Sequence, residues 1–397
     1  MLIESVVFLV LLFVIAALVR GGVALTVLYI FLGAVILSLV WTRQSVKHVS
    51  CKRKFEKRVF WGEDIEIRLA IKNTGWLPVP WLYVYESLPS ELTAGTAIKT
   101  LIHLRPKDQL EVPYTLHAYK RGYYPVGPLV LKFGDTIGLA DSQERESAED
   151  FVTVYPRIIP ISDLKLPSRS PIGTLRHHQP IFEDTSRIRG KRDYTASDSL
   201  RRVDWKASAA AGRLKVKQFE PSIALQTAIF LNLNTTEYPS RHYLDATELA
   251  IVIAASMANW VVAQKQSVGL ITNGIDPRTV ERAVQPLAPR KGRAQLVHIL
   301  DLLARLQATE NALPLTKMLN KEAANLSWGT TVIVITGQIN EALFDELFQL
   351  KRRGQNIVLV VAGHAFNIQK AREQAKHFGI PLYAFSNEKS LEYWSRK

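Results

Sequence analysis

The segment Arg189–Glu220, RGKRDYTASDSLRRVDWKASAAAGRLKVKQFE, divides a chain of 397 residues into two parts with different sequence patterns. It combines many lysines and arginines with three aspartates, and a tyrosine and a tryptophan lie among them. A solvated surface segment does not need the aromatic residues, and a core element cannot bury so many charges without partners. The segment therefore predicts a fixed network of ion pairs and stacked rings, at a domain junction or a partner-binding surface.

The charged and aromatic residues of this segment are the candidate binding residues. They are Arg192, Asp193, Tyr194, Asp198, Arg201, Arg202, Asp204, Trp205, Lys206 and Arg213. We expect the aspartates to accept charge-assisted hydrogen bonds from the arginines, and the Trp205 ring to face a guanidinium. Leu214–Phe219 alternates like an edge strand that could join the sheet of the following domain. Two compatible interpretations remain: a clasp that fixes the preceding connector to the following domain, and a docking surface for a protein or peptide.

The same segment resembles the signature of a known family. The residues that match are Arg192-Asp193-Tyr194, Asp198, Arg201, Asp204-Trp205-Lys206-Ala207-Ser208-Ala209 and Arg213-Leu214, whereas Ser197 and Ala210 replace the usual Gly and Arg. They resemble the bacterial domain-of-unknown-function family 58. The resemblance implies a membrane protein with a von Willebrand factor A-like domain that works with MoxR-type AAA+ ATPases. It supplies no biochemical activity.

Composition indicates a globular body with a basic surface. Apolar residues make up 47% of the chain, charged residues 22%, and the formal net charge is +14. The single cysteine, Cys51, excludes a disulfide framework and a cysteine metal site, and we interpret it as an unpaired thiol. The basic charge also suits nucleic acid, but the chain carries no recognition motif of the usual kinds, so we expect no nucleic-acid partner.

Two uncharged apolar runs, Ser5–Val19 and Val23–Trp41, open the chain and are separated by Arg20-Gly21-Gly22. A helix needs about 20 apolar residues to cross a bilayer, so residues 1–42 predict two transmembrane helices joined by a turn. A signal peptide is the competing interpretation, but a basic leading region and a small-residue cleavage site are missing.

A cluster of basic residues follows the second apolar run. Its members are Arg43, Lys47, Lys52, Arg53, Lys54, Lys57 and Arg58, whereas Arg20 alone lies at the other end. The positive-inside rule therefore predicts a two-pass protein of the cell membrane, with both termini and the soluble body in the cytoplasm. The same cations would be attracted to anionic lipid headgroups.

The part before the signature has strand patterns, and its boundaries predict a domain and a connector. Residues 46–155 contain short alternating runs such as Asp64–Ile71, separated by turn residues, and predict a β-sandwich domain. Residues 156–188 have little periodicity and are predicted to be a connector. The pair His177-His178 lies there without a carboxylate or cysteine at ligand spacing, so we expect an exposed pair rather than a metal site.

Residues 189–397 combine the signature with an alternation of strands and helices. The apolar strand segments are Ala224–Asn232, Val268–Thr272, Thr331–Ile335, Asn356–Ala362 and Leu382–Phe385. The order predicts an α/β domain with a mostly parallel sheet, in which ligands usually lie beyond the carboxyl ends of the strands. It resembles a von Willebrand factor A-like domain.

Such domains often bind Mg²⁺ through D-x-S-x-S after the first strand. Here Asn232-Leu233-Asn234-Thr235-Thr236 occupies that place, and the later strand ends in Ile335-Thr336-Gly337 without an aspartate. Because a hard divalent cation normally needs a carboxylate, we expect no tightly bound metal and no cofactor. The alternative is a weak site that a partner's carboxylate completes.

The sequence lacks the common catalytic motifs for phosphate binding, zinc hydrolysis and serine nucleophiles, so we expect no enzymatic activity. The leading hypothesis is a membrane-anchored cytoplasmic interaction or adaptor protein whose partner, from the family resemblance, is a MoxR-type ATPase. The alternative is an envelope-related enzyme or substrate-binding protein with its soluble body outside the membrane. A third hypothesis is a basic protein that binds only a membrane surface or nucleic acid.

Overall fold

The computed structural model describes residues 13, 22–93, 97–134, 143–161, 183–196, 198–221, 226–279, 284–364 and 368–395. The chain forms two compact units, Met1–Arg157 with Leu303–Arg305, and Ile158–Leu302 with Leu306–Lys397. The first predicted transmembrane helix lies outside the described residues except for Phe13, and so do Ser197 and the pair His177-His178.

Helix α1 (Gly22–His48) begins the continuous part of the first unit. It carries no charge before Arg43, and large apolar side chains such as Tyr29 and Ile30 are exposed along it. Two of the described helices are long and apolar enough to cross a membrane, α1 and the helix at Tyr243–Ala263. The second is largely buried in the protein, as the core helix of a soluble domain is, whereas α1 is largely exposed.

The rest of the first unit is rich in strands. They are β1 (Val49–Lys54), β2 (Arg58–Val59), β3 (Asp64–Asn73), β4 (Val79–Ser87), β5 (Ala97–Leu104), β6 (Gln109–His117), β7 (Gly122–Val126), β8 (Leu129–Gly134), β9 (Gln143–Ser147) and β10 (Asp150–Val154). Three sheets result, with the orders β1-β3-β6, β2-β10-β7 and β5-β4-β8-β9. The prediction of strands for this region is confirmed.

Alternation along the strands gives this unit its core. In β3 the apolar side chains Ile65, Ile67 and Leu69 point inward while their polar neighbours are exposed, because successive side chains of a strand face opposite sides. Leu69 of β3 shares one hydrophobic cluster with Leu82 of β4 and Phe133 of β8. The sheets β1-β3-β6 and β5-β4-β8-β9 therefore bury a common core.

The signature forms a small sheet of its own. Strand β11 (Glu183–Asp193) and strand β12 (Lys215–Pro221) pair antiparallel, with helix α2 (Trp205–Ala211) in the connection between them. Sequence reasoning suggested that Leu214–Phe219 could extend the large sheet, and this is wrong: β12 pairs with β11 in a separate two-stranded sheet. The return of the chain through α2 brings the two strands together locally.

The remainder is an α/β region around a six-stranded sheet. Its elements are β13 (Gln226–Leu231), α3 (Tyr243–Ala263), β14 (Ser267–Thr272), β15 (Leu287–Arg290), α4 (Arg293–Arg305), α5 (Leu315–Ala323), β16 (Thr331–Thr336), α6 (Glu341–Arg352), β17 (Asn356–Ala362), α7 (Ile368–His377), β18 (Leu382–Phe385) and α8 (Glu388–Ser395). The order is β15-β14-β13-β16-β17-β18, and all neighbours are parallel except β14 and β15. The predicted α/β region with a mostly parallel sheet is confirmed.

Helices cover the central strands of this sheet. Helix α3 packs on β13, β14, β16 and β17, and its buried small residues such as Ala250 and Ala254 allow a close approach. Apolar residues of α5, α6 and α7 share a cluster with Val334 of β16 and Leu359 of β17. Strand β13 lies at the switch of strand order, because the chain continues to β14 on one side and to β16 on the other.

Candidate functional site

The signature module, defined as residues 183–196 and 198–221, is held together by main-chain pairing. Lys191 lies opposite Lys217 and Asp193 opposite Lys215 in the β11–β12 register. The connecting segment returns to these strands, since the Asp204 amide donates to the Lys215 carbonyl at 2.8 Å. Val203 forms an additional bridge to Val216 of β12. The connection is therefore an ordered part of the module.

Helix α2 has a defined beginning and end. Asp204 caps its N-terminus, because a side-chain oxygen accepts from the Ala207 amide at 3.1 Å. Gly212 ends it with a φ of 65°, a left-handed conformation that favours glycine. Ser208 ties the helix to β12: its hydroxyl donates to the Asp204 carbonyl and accepts from the Lys215 amide, both at 2.8 Å. A seven-residue helix is thereby fixed on a two-stranded sheet.

Asp193, Asp198 and Asp204 of the module are each paired with a cation. Asp198 receives two guanidinium hydrogen bonds from Arg192, together with the amide and hydroxyl of Thr195 at 2.9 and 2.7 Å. These donors hold the pKa of Asp198 far below its usual range, and the Arg192 guanidinium has the largest effect. The remaining pairs are Asp193 with Lys215 and Arg213 at 2.7 and 3.2 Å, and Asp204 with Lys191 at 2.9 Å.

The pairing differs in part from the sequence-based expectation. Arg192 and Arg213 are donors as predicted, but sequence reasoning missed Lys191 and Lys215. Their positions on adjacent strands could have been inferred only from the β11–β12 register. Among the described side chains no guanidinium lies over the Trp205 ring, and the predicted contact stays a prediction. Arg192 and Arg213 are instead engaged by carboxylates.

The segment Leu200–Lys206 presents an exposed surface of mixed character. Leu200 and Trp205 are 60% and 67% exposed, although both are large and apolar. Arg201, Arg202 and Lys206 are exposed in the same segment. By contrast Tyr194 is half-buried, at the start of the connection. An exposed tryptophan among cations, on a backbone fixed by ion pairs, is suited to contact an acidic surface with an apolar pocket.

A second polar cluster lies at the carboxyl end of β13. The side-chain oxygen of Asn232 accepts from the Asn234 amide at 3.1 Å and from the Asn273 side chain at 2.8 Å. Its side-chain nitrogen donates to Glu237 at 2.7 Å and to the Thr336 hydroxyl at 3.0 Å. Asn232 is fully buried, so its amide is committed to four protein partners.

Two members of this cluster were missed by sequence reasoning. Glu237 directly follows the Asn232–Thr236 segment, and Asn273 directly follows β14, so both positions were readable as strand-end residues. Glu237 supplies a carboxylate where none was expected, and it also accepts from the Leu315 amide at 3.3 Å. Within the described ranges, no group of three or more His, Cys, Asp and Glu residues is placed to hold a metal ion. The expectation of no tightly bound metal stays a prediction.

A third charged cluster is buried in the first unit. Arg53 of β1 forms an ion pair with the buried Glu86 and a 3.0 Å bond to Asp150. The Tyr114 hydroxyl donates to Glu86 at 2.7 Å, and burial, with the Glu86 charge, raises the pKa of that phenol. Arg53 was counted among the cations available to lipid headgroups, which is wrong because its side chain is only 3% exposed. The strand register turns it inward.

Cys51 lies close to this cluster. Burial raises the pKa of its thiol to about 11, and the Glu86 charge acts in the same direction. The thiolate is the reactive form, so Cys51 is a poorly reactive thiol at neutral pH. This fits the interpretation of Cys51 as an unpaired thiol.

Comparisons with known proteins agree with the signature. The family model for "Protein of unknown function DUF58" matches residues 190–375. The uncharacterized protein YeaD of Bacillus subtilis (strain 168) is 23% identical over 354 residues, which cover 87% of this chain and 84% of that protein.

Solved structures give only distant likenesses. Proximal thread matrix protein 1 from the mussel byssus is 10% identical, with a TM-score of 0.33 over 44% of this chain and 46% of that chain. The CARDB domain of the PF1109 protein from Pyrococcus furiosus is 18% identical, with a TM-score of 0.21 over 27% of this chain and 91% of that chain. These scores support no argument about the fold. The signature and most of the α/β region, residues 190–375, thus match the family of proteins of unknown function DUF58.

Proposed function

We propose that this protein is a membrane-anchored adaptor that docks a protein partner through Leu200–Lys206 and has no catalytic activity of its own. The carrying observation is an exposed Trp205 on a backbone that ion pairs and a capped helix hold in place. Tryptophan and arginine are the residue types that most often dominate binding energy at interfaces. A rigid surface also loses little conformational entropy on binding.

The finer architecture that we propose is two transmembrane helices, a β-sandwich and a von Willebrand factor A-like domain. The core shared by the sheets of the first unit supports the sandwich. The position of β13 at the switch of strand order, with the Asn232 cluster at its carboxyl end, supports the second domain.

For the partner we propose a MoxR-type AAA+ ATPase, on the resemblance of the signature. The chemistry of Leu200–Lys206 requires an acidic partner surface with an apolar pocket for the indole. We further propose that the soluble body lies in the cytoplasm, supported by the exposed Arg43 and Lys47 next to the apolar part of α1. The side chain of Arg53 is buried and does not belong to the exposed cations, but the other basic residues after the apolar part of α1 still support a cytoplasmic body.

The test is capture of the ATPase by the full-length chain in mild detergent with ATP. We expect Trp205→Ala to weaken capture by about tenfold or more, the effect of losing an interface hot spot. Leu101→Ala is the control, since Leu101 is a large apolar side chain that is 65% exposed and lies in the other unit. Recovery of no ATPase would refute the proposed partner. Equal capture by both variants would refute the docking role of Leu200–Lys206.

A further inference from the structure

The apolar part of α1 has the length of a bilayer core. At about 1.5 Å per residue, Val23–Trp41 spans about 28 Å, close to the ~30 Å of hydrocarbon in a bilayer. In a membrane-spanning α1, Trp41 therefore lies at the boundary between acyl chains and headgroups. His48 lies about 10 Å farther along the helix, at the outer side of a headgroup layer that is about 5–8 Å thick.

A loop of the strand-rich unit runs back along this last part of α1. At one end, the Thr74 amide and hydroxyl donate to the His48 carbonyl at 2.9 and 2.8 Å. At the other end, the Trp41 indole donates to the Pro78 carbonyl at 3.0 Å. The loop between Thr74 and Pro78 therefore extends from the level of His48 to that of Trp41, across the headgroup layer.

The loop is ordered by a buried side chain. Asn73 is fully buried; it donates to the carbonyls of Leu77 at 2.8 Å and Arg105 at 3.0 Å, and it accepts from the Gly75 amide at 3.0 Å. Gly75 lies so close to the helix that an added Cβ would come within 3.0 Å of the His48 Cβ. The position of the loop beside α1 is thus fixed by packing and by hydrogen bonds.

Trp76 is the large apolar side chain that this loop exposes. It is 70% exposed, and it lies two residues from Pro78, so their Cα atoms are at most about 7 Å apart. Tryptophan favours the membrane interface because its ring is apolar and its N–H needs a polar partner. Arg43 and Lys47, one helical turn apart and exposed, lie in the same stretch of α1 as the loop.

We propose that Trp76 inserts into the boundary between headgroups and acyl chains of the bilayer that α1 crosses, and so anchors the strand-rich unit at the membrane surface. This inference rests on the membrane-anchoring part of the proposed function. It is independent of the ATPase partner and of which side of the membrane the body occupies. The occupant is lipid, because the loop is bonded to the end of the membrane helix itself.

The experiment uses the full-length chain reconstituted in vesicles of phosphatidylcholine and phosphatidylglycerol. An environment-sensitive fluorophore is attached to Trp76→Cys and, as the matched control, to Trp205→Cys. The unsubstituted chain is the blank, because Cys51 reacts slowly. We expect lipids with a spin label near the headgroup to quench the probe at position 76 several-fold more than the probe at 205. Aqueous iodide should quench the probe at position 205 more than the probe at position 76.

Each outcome has a separate meaning. If the chain floats with the vesicles but both probes respond alike, the inference on Trp76 is wrong and the membrane anchor stands. If the chain does not float, both the anchor and the inference are wrong. A third outcome is that neither iodide nor the spin-labelled lipids quench the probe at position 76. If this shielding is lost when the chain is diluted into more vesicles, a second copy of the chain covers Trp76, and the inference is wrong.

Discussion

At the scale of single residues, burial decides what each charge contributes. Arg53 and Glu86 are withdrawn from water, and each compensates the desolvation of the other. Asp193, Asp198 and Asp204 act closer to solvent, where they fix the signature module through several donors each. The two kinds of pair should respond differently to substitution and to pH.

We expect Glu86→Gln to destabilise the first unit by about 3 kcal/mol, because it leaves the buried Arg53 guanidinium with only the partly exposed Asp150 as a counter-charge. Urea unfolding of the full-length chain in detergent measures the loss. Glu144→Gln is the control: Glu144 pairs with Lys132 on the surface, where both side chains are about half-exposed, and we expect little change. Equal effects of the two substitutions would contradict the buried pair.

For Asp198→Asn we expect a less stable signature module at neutral pH and a smaller difference from the wild type at pH 3. The pKa of Asp198 is lower in the folded state than in the unfolded state, so its contribution is complete above the unfolded pKa near 3.8. The contribution is lost as the pH falls below that value toward the folded pKa. The rate of limited proteolysis within residues 183–221 measures the stability of the module. It is compared for the variant and the wild type at pH 7 and at pH 3, with an acid-active protease at the lower pH. Glu111→Gln is the control: Glu111 lies in an exposed pair with Lys54 in the other unit, and its substitution should leave proteolysis of the module unchanged at pH 7.

At the scale of elements, the strand ends carry the polar chemistry of the α/β region. Strand β13 delivers Asn232 to the carboxyl edge of the sheet, and the parallel neighbours β14 and β16 deliver Asn273 and Thr336 to the same edge. The result is a neutral amide centre next to one carboxylate, Glu237. A single added charge should change its behaviour toward cations.

We expect Asn232→Asp to make thermal unfolding dependent on Mg²⁺. The new carboxylate would face Glu237, and the repulsion should lower the melting temperature until a divalent cation bridges the two acids. The wild-type chain should melt at the same temperature with and without millimolar Mg²⁺. Stabilisation of the wild type by Mg²⁺ would show that the expectation of no tightly bound metal is wrong.

At the scale of the whole molecule, the proposed topology predicts that α1 crosses the membrane and that the cations after it keep the soluble body in the cytoplasm. Lys389 is exposed in α8, so a cysteine introduced there reports which side of the membrane the carboxyl-terminal part of the chain occupies. We expect an impermeant maleimide to label Lys389→Cys only after the bacterial membrane is opened. The native Cys51 gives a low background because its pKa is raised to about 11. Labelling in intact cells would place the body outside and favour the envelope hypothesis.

The sequence alone determined the local character of the elements. The uncharged run in α1, the alternation in β3 and the apolar strands of the large sheet are periodic over a few residues, so their type follows from which faces must be buried. The signature residues identified the family for the same reason, because they lie within one short segment.

Only the tertiary structure determined which side chains pair with each other. Arg53 with Glu86, Lys191 with Asp204 and Asn232 with Asn273 are pairs whose members lie far apart in the chain or on strands of unknown register. A shift of one residue in a strand turns every side chain to the opposite face, so composition could not tell a buried cation from an exposed one. The register of the sheets determines which cations are buried and which are exposed.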